Sequence, residues 1–498
     1  MELTNCQTIA KKKISNFLNN DLGNNIFLLR GSAGTGKSTV ITNILDDEKY
    51  NDKKIAFCAS TNKAVSILKQ MFNIENKKEV VFLTIHKLLK IKRKIDKNGK
   101  ELFETEIDKE DNKLIKSKSI FYYDIIIVDE SSMISEEILT KILDIKERIK
   151  GKIIFVGDIA QLPPVNEDTS YVFRFKDIEK SELKEIVRYK GNIVSLCDKI
   201  RDLVFDSNTK FSFKKFTNDD IKIYKVFNLW LNEYLKYLND ILLNDLSDNK
   251  MDKIPIFIVY TNRQCDNINL KVRRNLFGNI NNKFVIGEII IFNNYYYSNK
   301  KNSYYTSQKS EIKNLKIINR NYKNVIDITK LKLGKIFEKL NEENILDNMT
   351  ITSYIQSRLD TFYTLLENLN VEVYELEILG GDIIYTLYEK DIEKFNNTIE
   401  FIKELFKKLG KYLSKRCKNF KSEIMTTLWE IIYQEILDKL ADICYGYCIT
   451  THKSQASTFD NIFVDMNNII TKNSNVQESY RCLYTALTRT SKKLNILI

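Results

Sequence analysis

The sequence predicts an α/β protein built on parallel sheets, and three observations carry that expectation. Apolar runs at 26–31, 54–60, 122–128 and 153–156 end in polar groups and alternate with helical segments. That alternation belongs to a parallel sheet whose ligands gather at the carboxyl ends of its strands. The first run leads straight into the glycine-rich turn Gly31-Ser-Ala-Gly-Thr-Gly-Lys-Ser38, which opens a helix. The same strand pattern returns at 256–262 and in the last fifty residues, so a second sheet unit is expected. A chain of 498 residues is also too long for one core.

The turn matches GxxxxGK[ST] in the strand-to-helix context that the pattern requires. Gly31, Gly34 and Gly36 let backbone N–H groups face an anion, and the following helix aims its positive end at the same place. Ser32, Ala33, Thr35 and Thr39 complete this phosphate cradle; Lys37 is placed to reach the β- and γ-phosphates of ATP and Ser38 to hold Mg²⁺. Only 15 glycines occur in the chain, so three within six positions do not follow from composition.

In chain order, residues 8–20 are expected to be helical, with Ile9, Ile14, Phe17 and Leu18 on one face. Thr61 and Asn62 stand at a strand end, where they suit either a ligand or a helix cap. His86, one of two histidines, precedes two short limbs at 91–95 and 101–107; Asn98-Gly99 between them signals a hairpin. The strand ending at Val128 delivers Asp129 and Glu130 together, which is costly near a core unless something there needs them. A nucleotide-bound Mg²⁺ would need the first and an attacking water the second. Pro163 and Pro164 stiffen the turn after Gly157-Asp158, leaving Gln161 placed to sense a γ-phosphate.

Short strands with polar turns over 284–318 suggest a small β-barrel inserted into the second unit. Residues 319–445 carry helical periods instead, with Gly410 as a C-terminal cap, and 403–421 is strongly basic. The other histidine, His452, lies in a dense polar segment, and a helix further on ends in Arg489.

Net charge is +12, which suits an anionic partner and equally a lysine-rich solvated surface. Eight scattered cysteines without a CxxC pair, and only two histidines, argue against a zinc site and for a reducing compartment. Neither a signal peptide nor a run of about 18 apolar residues is evident, so a soluble intracellular protein with no membrane partner is expected.

Taken together, these segments resemble superfamily 1 DNA helicases of the RecD/Dda type, the 5′-to-3′ group. Residues 31–38 resemble motif I, 60–64 motif Ia, 84–86 motif Ib, 128–134 motif II and 157–165 motif III. Val187-Arg188 and 260–263 resemble the motif IV region, 450–460 motif V and 483–489 motif VI, all in the family's order. The resemblance implies two RecA-like P-loop domains with ATP between them, a β-hairpin pin and an SH3-like β-barrel. The expected division is domain 1A at 1–180 with the pin at about 90–118, domain 2A at 181–283 and 446–498, the SH3-like insertion 2B at 284–318, and the helical insertion at 319–445.

The same resemblance implies roles. Gln7 would read adenine, Gln161 would couple the γ-phosphate to closure, and Arg188 and Arg489 would act as arginine fingers. Thr61, Asn62, His86, Thr451, His452 and Ser454 would grip single-stranded DNA, with forked duplex as substrate. Ala456 departs from the usual Gly of motif V, and Ser60 stands where many members have Pro. The resemblance assigns no counterpart to the 319–445 insertion, whose role stays open, a protein partner included. Two other readings stand beside the helicase: a nucleic-acid scaffold with an ATP-driven switch, and an RNA-acting member.

Overall fold

The computed structural model describes residues 3–20, 24–72, 79–105, 119–176, 178–187, 192–206, 213–244, 250–279, 281–298, 302–342, 348–416, 418–473 and 475–498. Arg188 and 106–118 therefore lie outside the described residues, as does Cys417.

Strands β1 (Ile26–Gly31), β2 (Lys54–Ala59) and β3 (Glu79–Thr84) belong to the first sheet. A hairpin, β4 (Ile91–Ile95) and β5 (Glu101–Thr105), leaves that sheet before β6 (Ile125–Asp129), β7 (Lys152–Gly157) and β8 (Glu179–Leu183) complete it. The order is β3-β2-β6-β7-β1-β8, every pairing parallel. Alternation sorts the side chains: Ile26, Leu28, Ala56 and Cys58 enter one core layer, while Phe27, Leu29, Ile55 and Phe57 enter the other. Arg30 pairs with Gly157 and Ala59 with Asp129, so the glycine turn, the acidic pair and the 157–162 loop emerge along one edge.

The second sheet uses β9 (Ile221–Tyr224) and β10 (Ile256–Val259). The chain then leaves it for β11 (Ile289–Phe292), β12 (Tyr296–Tyr297), β13 (Ser303–Tyr304), β14 (Lys309–Arg320), β15 (Val371–Ile378), β16 (Ile383–Leu387) and β17 (Ile443–Tyr445). It returns as β18 (Cys448–Thr450), β19 (Phe459–Asp465) and β20 (Thr490–Leu497), giving a parallel sheet ordered β18-β10-β19-β20-β9. The return is tight. A Cβ at Gly446 would stand 2.9 Å from Ile289 Cγ2 and 3.1 Å from the Ile290 carbonyl, so any larger residue would push β11 aside where β17 turns into β18.

Two expectations are corrected. The 319–445 segment is not helical throughout: β15 and β16 extend an antiparallel sheet ordered β16-β15-β14-β11-β17. Val371, Val373, Leu376 and Ile378 are buried along β15, and Gly380-Gly381 turns the chain into β16 with positive φ. Gly410 does not cap a helix. It lies inside Ile392–Arg416, buried, where a Cβ would meet Met425 Cε at 3.6 Å and the Lys97 carbonyl at 3.7 Å.

The approach of Lys97 to Gly410 joins distant parts of the chain. The hairpin tip rests on the junction of helices Ile392–Arg416 and Lys418–Ile431: Gly99, at φ +78, sits so close under Trp429 that a Cβ would fall 2.5 Å from its indole ring.

Candidate nucleotide cleft and nucleic-acid groove

A cavity of about 330 Å³ opens where the carboxyl edge of the first sheet faces the second. Ala33, Gly34, Gly36, Lys37, Ser38, Thr39, Asp129, Glu130 and Gln161 line it from the first, and Ala456, Ser457, Thr458, Thr488 and Arg489 from the second. Gly34 and Gly36 adopt positive φ, which bends the turn around the cavity. Lys37 Nζ donates to the carbonyls of Gly31 and Ser32 at 2.9 and 3.0 Å, within its own loop. Thr35 closes the turn from behind, its hydroxyl donating to the Ser32 carbonyl at 2.9 Å.

The acidic pair is crowded. Burial first, and then the charge of Glu130, raise Asp129 to about 6, against the pull of the Glu130 N–H and Lys37. Glu130 holds φ 50, left-handed backbone that costs a non-glycine residue about 1–2 kcal/mol. Such strain is retained where a side chain must be aimed.

Three observations fit a triphosphate here. Gln161 Oε1 is buried without a hydrogen-bond partner, as are Ser131 Oγ and Ser132 Oγ nearby. Arg489 is buried, and among the described residues it donates to neutral acceptors, the carbonyls of Thr485 (3.0 Å) and Ser457 (3.4 Å) and the Thr488 hydroxyl (3.2 Å). A buried guanidinium without a carboxylate gains from an arriving anion. The donor set of the Ser38 hydroxyl and the Asp129 carboxylate is the hard oxygen chemistry that suits Mg²⁺.

Behind this cavity the halves of the chain are bonded together. Tyr484, wholly buried in helix Val476–Leu487, donates to Asp158 Oδ2 at 2.7 Å, and the Ala33 N–H of the phosphate turn donates to the same carboxylate oxygen (3.0 Å) and to the Tyr484 hydroxyl (3.2 Å). Arg481 donates to the Ile159 carbonyl and, at 3.2 Å, to that of Gln161, while Gln455 Nε2 donates to the Leu162 carbonyl at 3.2 Å. Ala160 and Leu162 pack in the hydrophobic core of the second sheet, so the loop expected to sense phosphate is embedded in the opposite half.

Gln7 is placed differently from its expected role. It lies behind the turn, Oε1 accepting from Thr4 N–H at 3.0 Å and Nε2 donating to the Thr35 carbonyl at 2.9 Å. Both ends of its amide are thus engaged, one in a helix capping box and one bracing the phosphate turn.

A second concavity, about 410 Å³, runs along Ser60, Thr61, Asn62, Lys63, Thr84, His86, Phe103, Tyr295 and Thr306. Thr61 caps its helix through Ala64 N–H at 3.2 Å and also borders this groove, so the cap and ligand readings both hold of its position. Phe103 (53% exposed) and Tyr295 (47%) offer aromatic faces, His86 standing 6.4 Å from Phe103. Partial desolvation holds the His86 and His452 imidazoles below their ordinary value, against nearby Glu137 and Glu478 respectively.

The motif V residues separate. His452 is exposed beside Pro163, Pro164 and Arg481, with ligand atoms of Glu478 and Cys482 within 4.8 Å. Thr451 and Ser454 are instead interior: their hydroxyls donate to the Val259 carbonyl (3.2 Å) and the Thr451 carbonyl (2.7 Å) and shape the turn rather than face a groove. Phe103, Tyr295, Asp158 and Tyr484 went unassigned in the sequence. For Phe103, an aromatic in a hairpin limb beside His86 was an available signal.

Residues 15–167 match a family model described as an AAA domain, and 445–497 one described as a UvrD-like helicase C-terminal domain. The chain is 28% identical to an uncharacterised protein of Acanthamoeba polyphaga mimivirus, over 99% of both chains. It is 26% identical to the RecBCD enzyme subunit RecD of Buchnera aphidicola subsp. Schizaphis graminum, over 95% of this chain and 70% of that one. Among solved structures, the Bacteroides Pif1 helicase in complex with ADP-AlF3 and ssDNA aligns over 99% of this chain and 92% of its own, at 15% identity and a TM-score of 0.47.

Proposed function

We propose that the chain is a superfamily 1 helicase of the RecD and Pif1 type, a reading supported by the AAA-domain match, the UvrD-like C-terminal match and the likeness to RecD. It is an ATP-dependent DNA helicase. The observation that carries this reading is the single cavity where Lys37, Asp129, Glu130 and Gln161 meet Arg489 from the opposite sheet.

In this reading Lys37 leaves the carbonyls of Gly31 and Ser32 for the β- and γ-phosphates, and the N–H groups of 33–39 cradle them. Ser38 and Asp129 would hold Mg²⁺, which would supply charge neutralisation on the phosphates. Glu130 accepts the proton of the attacking water, and the unpartnered amide oxygen of Gln161 orients that water. Arg489 gives up its neutral acceptors for the charge that develops on the transferred group. Arginines in this position contribute roughly 10³–10⁵ in rate. Arg188 serves as a second such arginine on the strength of its motif alone.

The loop carrying Gln161 is embedded in the second half, so a change at the γ-phosphate displaces both halves at once. Repeated closure ratchets a single strand, held by Thr61, Asn62, His86, Phe103 and Tyr295, in the 5′-to-3′ direction. The hairpin splits the duplex ahead. The chain divides near residues 180, 284 and 446, the expected boundary at 319 falling inside β14, which pairs with β15, and the protein works inside the cell. Among the described residues no helix is long and apolar enough to cross a membrane.

Glu130→Gln tests the chemistry: ATP should still bind while turnover drops by at least ~100-fold. Turnover at the parental rate would overturn the assignment. Strand displacement on forks with a single 5′ or 3′ tail tests direction, only the 5′ tail supporting unwinding.

A further inference from the structure

The insertion at 319–445 carries 18 Lys and Arg against 21 Asp and Glu, so on average it is not basic. Yet residues 405–422 hold Lys407, Lys408, Lys411, Lys415, Arg416, Lys418 and Lys421 with no acid among them. All but Lys421 are exposed. Of the flanking acids, Glu400 pairs with Lys403 at 2.6 Å and Glu423 with Lys339 at 3.0 Å, which leaves Glu404 as the one acid bordering the stretch outside these pairs.

This cationic stretch borders the point where the hairpin tip docks. Gly99 lies under Trp429, the Lys97 carbonyl approaches Gly410, and Lys421 donates to Ser414 at 2.6 Å beside them. Partial burial, and then the charge of Lys97, pull Lys421 below its ordinary value, with Asp96 the opposing acid. Like charges gathered at one spot are self-repelling unless an anion joins them.

The geometry points to the phosphate backbone of double-stranded DNA, seated on the 407–421 arc just ahead of the strand-separating tip. The inference rests on the helicase reading. What favours duplex over single strand is the absence of an exposed ring among the arc's described residues: Phe406 and Phe420 are buried, and Tyr412 is half-buried and stacked on Tyr354 at 3.8 Å. Single strands are gripped through their bases on aromatic platforms, as Phe103 and Tyr295 offer at the base of the hairpin. Paired bases are hidden, and a duplex presents closely spaced phosphates, one charge per ~1.7 Å of its axis. Lys407, Lys411 and Lys415 recur every fourth residue along one helix face, a row suited to such a backbone.

The test compares the full chain with a Lys407→Glu, Lys411→Glu, Lys415→Glu triple variant, without nucleotide. Binding of a 5′-tailed forked duplex and of the tail strand alone is measured across a salt series. The parental protein should bind the fork at least ~10-fold more tightly than the strand, and the variant should lose that preference. Its fork salt slope should shrink by roughly 0.9 for each phosphate that the variant no longer neutralises. Strand affinity and strand-stimulated ATPase should stay within about twofold, because the changed residues touch neither site. A variant that keeps the fork preference overturns the proposal, as does a parental protein without one. A variant that keeps it but loses binding to polyglutamate assigns the arc to an acidic protein partner instead. Absence of strand-stimulated ATPase in both proteins would strike the helicase reading, which the nucleotide-free binding comparison does not measure.

Discussion

Two of the seams between the halves of the chain are made of different materials. At the nucleotide cavity the halves are joined by hydrogen bonds, with Tyr484, Asp158 and the Ala33 N–H forming a buried triangle and Arg481 and Gln455 reaching backbone carbonyls. At the hairpin tip they are joined by an indole ring lying on a glycine. Hydrogen bonds are directional and weaken steeply when donors turn away from their acceptors, so the first seam can register a phosphate. Apolar contact is non-directional, so the second holds its place whatever the cavity contains.

The sharpest way to break that comparison is at the tip. Gly99→Val adds a side chain where even a Cβ would fall 2.5 Å from the indole, in left-handed backbone that valine resists. Unwinding should collapse by about 100-fold while strand-stimulated ATP turnover stays within about twofold, because the tip is far from the chemistry. Equal loss of both in paired assays would show that the seams are not separate. At the other seam, Tyr484→Phe removes one hydroxyl bonded to a carboxylate, worth ~1.5–3 kcal/mol. Strand-stimulated turnover should fall about tenfold and unwinding with it, so the ratio of base pairs opened per ATP should hardly change.

A smaller effect comes from a pair of lysines flanking the Phe459 ring. Lys63 of the first half lies 5.9 Å from its centre and Lys309 of the second 5.3 Å. Burial, and then the charge of Arg489, lowers Lys63 to about 8; burial, and then the charge of Lys63, lowers Lys309 to about 7. The unfolded chain therefore holds more protons than the folded one from about pH 7 up to the ordinary lysine value, so stability should rise as pH rises through that window. Melting curves from about pH 6.5 to 9.5 should show the rise, and Lys309→Met should flatten it. An unchanged slope in the variant would remove the pair from the account.

The smallest effect tests the motif V departure. Ala456 sits at φ 55 on the rim of the nucleotide cavity. Ala456→Gly should relieve the left-handed strain, offset in part by the added freedom of the unfolded chain, for a net gain of ~0.5–1 kcal/mol. Denaturant melts would read it as a higher midpoint at unchanged slope.

These contrasts also separate what local sequence carries from what it cannot. The phosphate turn, Asp129, Glu130 and the first sheet were legible because strand period and turn chemistry are local, and Asn98-Gly99 marked a hairpin that β4 and β5 form. β15 was legible too: Val371-Glu-Val-Tyr-Glu-Leu-Glu-Ile378 alternates and Gly380-Gly381 follows, a signal masked by the helical periods on both sides. Gly410 misled because glycine marks helix ends more often than interiors. Gln7, Thr451 and Ser454 carry family motifs, yet which way their side chains turn depends on neighbours far along the chain, such as Thr35 and Val259. Tyr484 and Asp158 are 326 residues apart, and nothing short of the fold joins them.

The glycine return at 446 has a mechanical consequence. The long excursion that carries Trp429 departs the second sheet after β10 and comes home through β17 and β18, and β17 lies hydrogen-bonded along β11 near where the excursion began. Entrance and exit are clasped side by side, which leaves the excursion no swivel of its own. The indole seat under the hairpin tip is thereby tied to the second sheet through two neighbouring strands instead of one.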